Sequence, residues 1–179
     1  KRNCAKRRLF LRRSAAASII LTIFAGRERM EEKRYKLNFD FIPEESWKFN
    51  LRRLLSPAAW DAVRRDAYKR AGYKCRICGR GNCRLEAHEK WSFDTEKKIQ
   101  KLEDVLALCH DCHAVIHYQR TALCDGAEGA RRAEEHFMRV NGCTESDFHE
   151  ALARAAARHE RLNDTEDWQL DLSFLKRFI

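Results

Sequence analysis

The residues best suited to chemistry in this chain are cysteines that recur at short, regular spacing. Cys75 and Cys78 form one C-x-x-C pair, Cys109 and Cys112 form a second, and 30 residues separate the two pairs. A C-x-x-C turn brings two sulfurs to one point, so two pairs can complete a tetrahedron around zinc. The spacing therefore predicts one closed, structural Zn²⁺ site, with Cys83 as a competing ligand. A redox role would account for one pair but not for two.

Two histidines follow the second cysteine pair at helical spacing. His113 and His117 are four residues apart, so on a helix they project from one face and can bind one cation. His113 is rotated by about 100° from Cys112, so one helix can serve a zinc site and a second metal site. The alternative interpretation is a pair of helix-surface histidines without a ligand role.

Several elements are predicted around these residues. Ser56-Pro57 is an N-cap with proline at the first helical position, and the helix from Ala58 ends near Ala71, before Gly72. Residues 85–91 read as a strand, and the alternation in residues 35–41 predicts another. Helices are predicted over about 127–140 and 144–162, with a strand or short helix in the tail. The fold class is α+β, a zinc-stapled module flanked by helices.

The combined pattern over residues 58–120 resembles the HNH endonuclease family, which has a ββα-metal fold. That family carries a C-x-x-C, a Leu-Glu-x-His-His stretch, a central Asn and a Leu-Cys-x-x-Cys-His-x-x-x-His run. Here the matching stretches read LEAHEKW (residues 85–91) and LEDVLALCHDCHAVIH (residues 102–117). The HEKW form is similar to a bacterial branch of the family. The resemblance implies metal-dependent hydrolysis of phosphodiester bonds, with structural Zn²⁺ and a catalytic divalent cation (Mg²⁺, Mn²⁺, Ni²⁺ or Zn²⁺).

The resemblance also implies roles for individual residues. His88, His113 and His117 match the ligands of the catalytic metal, and Asp104 matches the central Asn, which orients the base. Glu89 occupies the position of the general base, normally a histidine. Glutamate titrates near pH 4.3 and histidine near 6.5, so an unperturbed Glu is the poorer base at neutral pH (about two units apart).

Strand geometry complicates the role of Glu89. In a regular strand Glu86 and His88 share a face while Glu89 points away, so Glu89 needs a bend or bulge to reach the site. One alternative is a shifted register, with His88 as base and Ala87 at a ligand position. Another is that both glutamates lie on a solvated strand edge.

The positive charge is localised rather than uniform. The formal net charge is +9, and residues 48–90 contribute 12 Lys/Arg against 4 Asp/Glu, whereas residues 91–179 contribute 12 against 17. A basic face fits phosphate contacts with weak sequence specificity, although a solvated face is the simpler explanation. The expected partner is nucleic acid, double-stranded DNA before RNA. The residues expected to hold its backbone are Arg64, Arg65, Lys69, Arg70 and Arg84.

A second function remains open from the sequence. The Glu89 departure favours a catalytically inactive zinc-binding HNH-fold module that binds nucleic acid or a protein partner, such as a phage or defence-system regulator. The intact set of His88, His113 and His117 favours the enzyme.

The chain is expected to divide into four segments, of which the first differs in composition. Residues 1–29 join a basic stretch to a short apolar one, the outline of a signal peptide. We expect translation to start at Met30 and the leader to be a non-native extension; an export or membrane signal and a real basic arm are alternatives. The other segments are 30–57 (strand and short helix), 58–122 (HNH module) and 123–179 (helical extension). No run of 18 apolar residues occurs, and paired C-x-x-C motifs suit a reducing compartment, so a cytoplasmic protein without a membrane partner is expected.

Overall fold

The computed structural model describes residues 35–178, and the chain from Lys36 onward forms one compact unit. The leader predicted over residues 1–29 lies outside the described residues. The helices are α1 (Leu51–Leu54), α2 (Pro57–Arg70), α3 (His110–Ile116), α4 (Tyr118–Asn141) and α5 (Glu145–Asn163), with 3-10 helices over Glu44–Lys48 and Ser173–Phe178. The strands are β1 (Leu85–Asp94), β2 (Ile99–Cys109) and β3 (Gln169–Asp171).

A three-stranded sheet in the order β1-β2-β3 lies at the centre of this α+β unit. β1 and β2 form an antiparallel hairpin in which Leu85 pairs with Cys109, and β3 adds to β2 in the parallel direction. The register of the hairpin shifts between Lys90 and Trp91. The hairpin and the α3 helix directly after it give the β-β-α order that the sequence predicts.

Helix α2 packs on one face of the sheet through its buried apolar residues. Trp60, Val63 and Ala67 belong to one apolar cluster with Ala87 and Val105 of the hairpin. The Ser56 side chain accepts a hydrogen bond from the amide of Ala59, as expected for an N-cap. Apolar residues of β3 and the last 3-10 helix pack against the same cluster, so the segments predicted over 30–57, 58–122 and 123–179 share one core.

The strand predicted over residues 35–41 is wrong. Leu37, Phe39 and Phe41 are buried in alternation, but no strand pairs with this segment among the described residues. Instead the side chain of Asn141 bonds both backbone groups of Leu37, at 3.0 and 2.8 Å. Phe39 stacks on Phe137 of α4, with ring centroids 5.2 Å apart. The alternating pattern therefore reflects burial against helices rather than pairing in a sheet.

The two helices predicted over 127–140 and 144–162 are confirmed, although α4 begins earlier, at Tyr118, and α5 is shifted by one residue. Helix α4 bends at Gly126, whose φ of 67° is left-handed, and it ends before Gly142. Helix α5 begins with a capping box between Thr144 and Asp147. Among the helices within residues 35–178, none combines the length and the apolar character that crossing a membrane would require.

Candidate metal centres

The four cysteines of the two C-x-x-C pairs converge on one point. Their Sγ atoms lie within 4.8 Å of one another, and those of Cys78 and Cys109 are 3.6 Å apart. Cys75 and Cys78 lie in a tight turn before β1, whereas Cys109 caps α3 and Cys112 lies inside it. Cys83 is outside the cluster, with its Sγ 3.8 Å from the Arg80 carbonyl. The cluster could hold a structural metal such as zinc.

The protonation chemistry of the thiols fits a dication. A hydrogen bond from Cys112 lowers the pKa of Cys75 to about 4. Burial and the charge on Cys75 together raise the pKa of Cys109 to about 12. A second thiolate is therefore unfavourable in this buried cluster unless a cation such as Zn²⁺ neutralises it.

His136 of α4 adds a partner to the cysteine cluster that the sequence did not predict. Its spacing matches no metal-ligand motif, yet it is buried, with 4% of its surface exposed. Its Nδ1 lies 2.9 Å from the guanidinium of Arg139, which only donates, so Nε2 carries the proton. That N–H donates to Cys112 Sγ at 3.1 Å. The burial of His136 could have been predicted from its position three residues after Ala133, which lies on the buried face of α4.

The three histidines predicted as ligands also converge. His88 lies on β1, His113 lies in α3, and His117 is the C-terminal cap of α3. One nitrogen from each lies within 4.8 Å of the others, and His88 Nδ1 is 3.2 Å from His117 Nε2. Their donor set suits a divalent transition metal, and His88 is 5% exposed.

Two carboxylates hold the outer sides of these imidazoles. Asp40 Oδ2 lies 3.4 Å from His88 Nε2, and Glu86 Oε2 lies 2.5 Å from His113 Nδ1. These contacts leave His88 Nδ1 and His113 Nε2 for a ligand role. Carboxylates bonded to the far nitrogen of a histidine are the usual outer partners of metal-binding imidazoles. Asp40 itself is fixed, because its amide donates to the Ile116 carbonyl at 3.1 Å.

Burial keeps His113 and His117 neutral near pH 7. Burial lowers the pKa of His117 to about 3, helped by repulsion from His88 and His113. Burial also lowers the pKa of His113, despite its hydrogen bond to Glu86. For Glu86, hydrogen bonds from His113 and His110 outweigh burial and lower the pKa of the carboxyl. Neutral imidazole is the form that binds a cation.

Glu89 does not reach the histidine cluster, which corrects the expectation that a bend would bring it there. The register shift lies after Glu89, between Lys90 and Trp91, so Glu89 keeps the face opposite His88. Its Oε1 accepts a hydrogen bond from the Leu51 amide at 3.1 Å, and burial raises the pKa of its carboxyl. Ala87 packs in the apolar cluster beside α2, so the register with His88 as a ligand is the one that gathers three ligands.

Asp104, matched to the central Asn, lies beside the register shift. Its Oδ1 accepts from the Val105 amide at 2.7 Å and from Arg70 at 2.9 Å. Arg70 also pairs with Asp66 at 2.6 Å. Arg70 is therefore paired with two carboxylates of the fold, and its contact with a nucleic-acid backbone stays a prediction.

The other predicted phosphate-binding residues differ in their surroundings. Arg65 is exposed, with only a 3.4 Å contact to Asp61, and Lys69 is exposed on the same helix. Arg64 and Arg84 line a groove near the start of β1, together with Arg52, which the sequence did not indicate.

Compared with models of protein families, with curated proteins and with solved structures, the chain gives no match.

Proposed function

We propose that this chain is a metal-dependent HNH-type nuclease that hydrolyses phosphodiester bonds of nucleic acid with weak sequence specificity. The observation that carries the proposal is the convergence of His88, His113 and His117 beside a closed cysteine cluster. A set of three protein ligands is typical of a metal site that keeps a ligand position free for substrate. The resemblance to the HNH family, drawn from the same residues, supports the same reaction.

Each part of the site would have a separate task. A divalent cation bound there would polarise the phosphodiester and lower the pKa of water. His88, His113 and His117 would hold that cation, while Asp40 and Glu86 fix the orientation of two of the imidazoles. A structural zinc on the four cysteines would anchor the start of α3 and so hold His113 in place.

A non-catalytic zinc module is the second candidate, and one observation favours it. Glu89, at the position of the family's general base, is bonded to Leu51 and faces away from the histidines. In this case the module would bind nucleic acid or a protein partner without cleaving it.

Plasmid cleavage separates the two candidates. Zinc-loaded protein is incubated with supercoiled plasmid and, separately, with circular single-stranded DNA, in the presence of Mg²⁺, Mn²⁺ or Ni²⁺, with EDTA as a control. His113→Ala should lower the cleavage rate by at least about a hundredfold. Removal of a residue that only orients a metal ligand costs up to about that much, and His113 would be a ligand itself. His149→Ala removes a histidine with a side chain that is 60% exposed on α5, and it should cleave like the wild type.

Two results would contradict the nuclease. One is a folded, zinc-loaded wild-type protein that cleaves with none of these cations, which would favour the inactive module. The other is a His113→Ala variant that cleaves as fast as the wild type at saturating Mn²⁺.

A further inference from the structure

A groove of about 590 Å³ lies between helix α2 and the turn that precedes β1. Its lining combines two kinds of side chain that recognise nucleotides: guanidinium groups for phosphates and aromatic rings for bases. The arginines are Arg52, Arg64 and Arg84, and the aromatic residues are Trp60, Tyr68 and Tyr73.

The arginines are presented toward the groove in different ways. Arg64 donates its Nε to Asp61 at 2.6 Å, which fixes the direction of its guanidinium. Arg52 lies over the ring of Trp60, 5.2 Å from the centroid. Arg84 is exposed and forms no ion pair with any residue in the part of the chain that the structure describes. The guanidinium groups of Arg64 and Arg52 are therefore held near the groove, whereas that of Arg84 is free to contact a phosphate.

Tyr73 presents an aromatic face to solvent at the edge of the groove. It is 66% exposed, although large aromatic side chains are commonly buried. Its φ of 56° is left-handed, a conformation unfavourable for a bulky residue, and it follows Gly72 at 59°. Neither burial nor the backbone conformation stabilises a tyrosine at this position. A ligand that stacks on the ring would give the side chain a function.

The groove leads to the proposed reaction site. Glu86 lines the groove and contacts His113, so one end of the groove lies next to the histidine cluster. Bases in a duplex are stacked and paired, so they do not offer a free face to Tyr73. Unpaired bases do, and basic grooves with aromatic platforms are the usual binding sites for single strands.

We propose that this groove binds a single-stranded segment of nucleic acid, with its phosphates on Arg52, Arg64 and Arg84 and an unpaired base against Tyr73. The inference rests on the proposed function and narrows its substrate class to single strands or unpaired stretches. It replaces duplex DNA, the substrate expected from the sequence.

The test measures binding without cleavage. A fluorescein-labelled deoxythymidine 12-mer is titrated with the zinc-loaded full chain in buffer without Mg²⁺ or Mn²⁺, and fluorescence anisotropy gives Kd. Unlabelled 12-mer competitors compare a uridine strand with a duplex of the same length. The single strands should compete better than the duplex.

Matched variants locate the binding site. Tyr73→Ala should weaken binding by at least about fivefold, the lower end of the loss for one stacked base, and Tyr73→Phe should restore it. Arg52→Ala should weaken binding and reduce the salt slope by about 0.7. The controls are Arg53→Ala, next to Arg52 but outside the groove lining, and Trp47→Ala, which removes another aromatic residue, 61% exposed.

The outcomes separate this inference from the proposed function. Two results would overturn the groove assignment alone, provided that the protein cleaves plasmid. One is a preference for the duplex over single strands; the other is single-strand binding that is unchanged in Tyr73→Ala and Arg52→Ala. Binding of neither strands nor duplex, with no cleavage under any cation, would overturn both. Single-strand binding that depends on Tyr73 in a protein that never cleaves would support the groove and overturn the nuclease.

Discussion

The cysteine cluster and the histidine cluster lie at the same short helix, α3, yet they are built differently. Cys75, Cys109 and Cys112 are at most 2% exposed, and the added partner beyond the thiols is the N–H of His136. The side chain of His113 is 20% exposed, and carboxylates hold the outer sides of two of the histidines.

The difference shows how one helix can separate two tasks. A closed set of four sulfurs without open ligand positions stabilises a fold, whereas a set of three imidazoles leaves a ligand position of a bound cation free for substrate. Carboxylates orient two of these imidazoles. Cys112 and His113 are neighbours in sequence, and the rotation of about 100° per residue directs them to different sides. If this division is correct, damage to one cluster should unfold the protein and damage to the other should leave it folded.

The largest effect is expected at the cysteine cluster. Cys112→Ser should lose zinc and unfold the hairpin and α3, because metal binding of this kind contributes on the order of 10 kcal/mol to folding. Elemental analysis and thermal unfolding followed by circular dichroism would measure both changes. Cys83→Ser is the control, since Cys83 lies outside the cluster and its loss should leave zinc content unchanged. A Cys112→Ser protein with one zinc and a wild-type melting temperature would refute the closed site.

A smaller, local effect is expected at the outer side of the histidine cluster. Asp40→Asn should weaken Mn²⁺ or Ni²⁺ binding at the histidines by about 10–100-fold while zinc is retained, because the carboxylate no longer orients His88. Isothermal titration of zinc-loaded protein would measure the affinity. Asp94→Asn is the control, because Asp94 lies at the end of β1 and pairs with Lys97. Equal affinities for wild type and Asp40→Asn would show that Asp40 has no such role.

The parts of both clusters that could be predicted are those fixed by short-range geometry. The C-x-x-C turns and the four-residue spacing of His113 and His117 depend on one turn or one helix, so residue spacing was sufficient. The capped helix α2 was predicted for the same reason.

The contacts that sequence reasoning missed join distant parts of the chain. Asp40 reaches His88, and His136 reaches Cys112, only because helices α3 and α4 pack beside the hairpin. The alternation of Leu37 and Phe39 predicts a buried strand equally well whether the partner is a sheet or a helix. Strand periodicity did place Glu86 and Glu89 on opposite faces, and the structure keeps that arrangement.

The smallest effect on chemistry is expected at Glu89, and it sharpens the contrast with Glu86. Burial raises the pKa of Glu89 above its ordinary value of 4.5, so the folded state favours the protonated form. The contribution of protonated Glu89 to the free energy of unfolding is fully present below pH 4.5. It is lost as the pH rises through the pKa of Glu89 in the folded state. Glutamine does not titrate. The free energy of unfolding of the wild type, relative to Glu89→Gln, should therefore fall as the pH rises from 4.5, measured by chemical denaturation at each pH.

Cleavage by the same variant decides whether Glu89 takes part in the reaction. Because its carboxylate faces Leu51 rather than the histidines, Glu89→Gln should cleave at close to the wild-type rate at saturating Mn²⁺. Glu86→Gln is the matched comparison on the same strand, and it should lose about 10–100-fold, because it disturbs the partner of His113. A loss on the order of a hundredfold in Glu89→Gln is what removal of a positioned base produces. That result would require β1 to rearrange when substrate binds, since Glu89 on its present face has no path to a water beside His88.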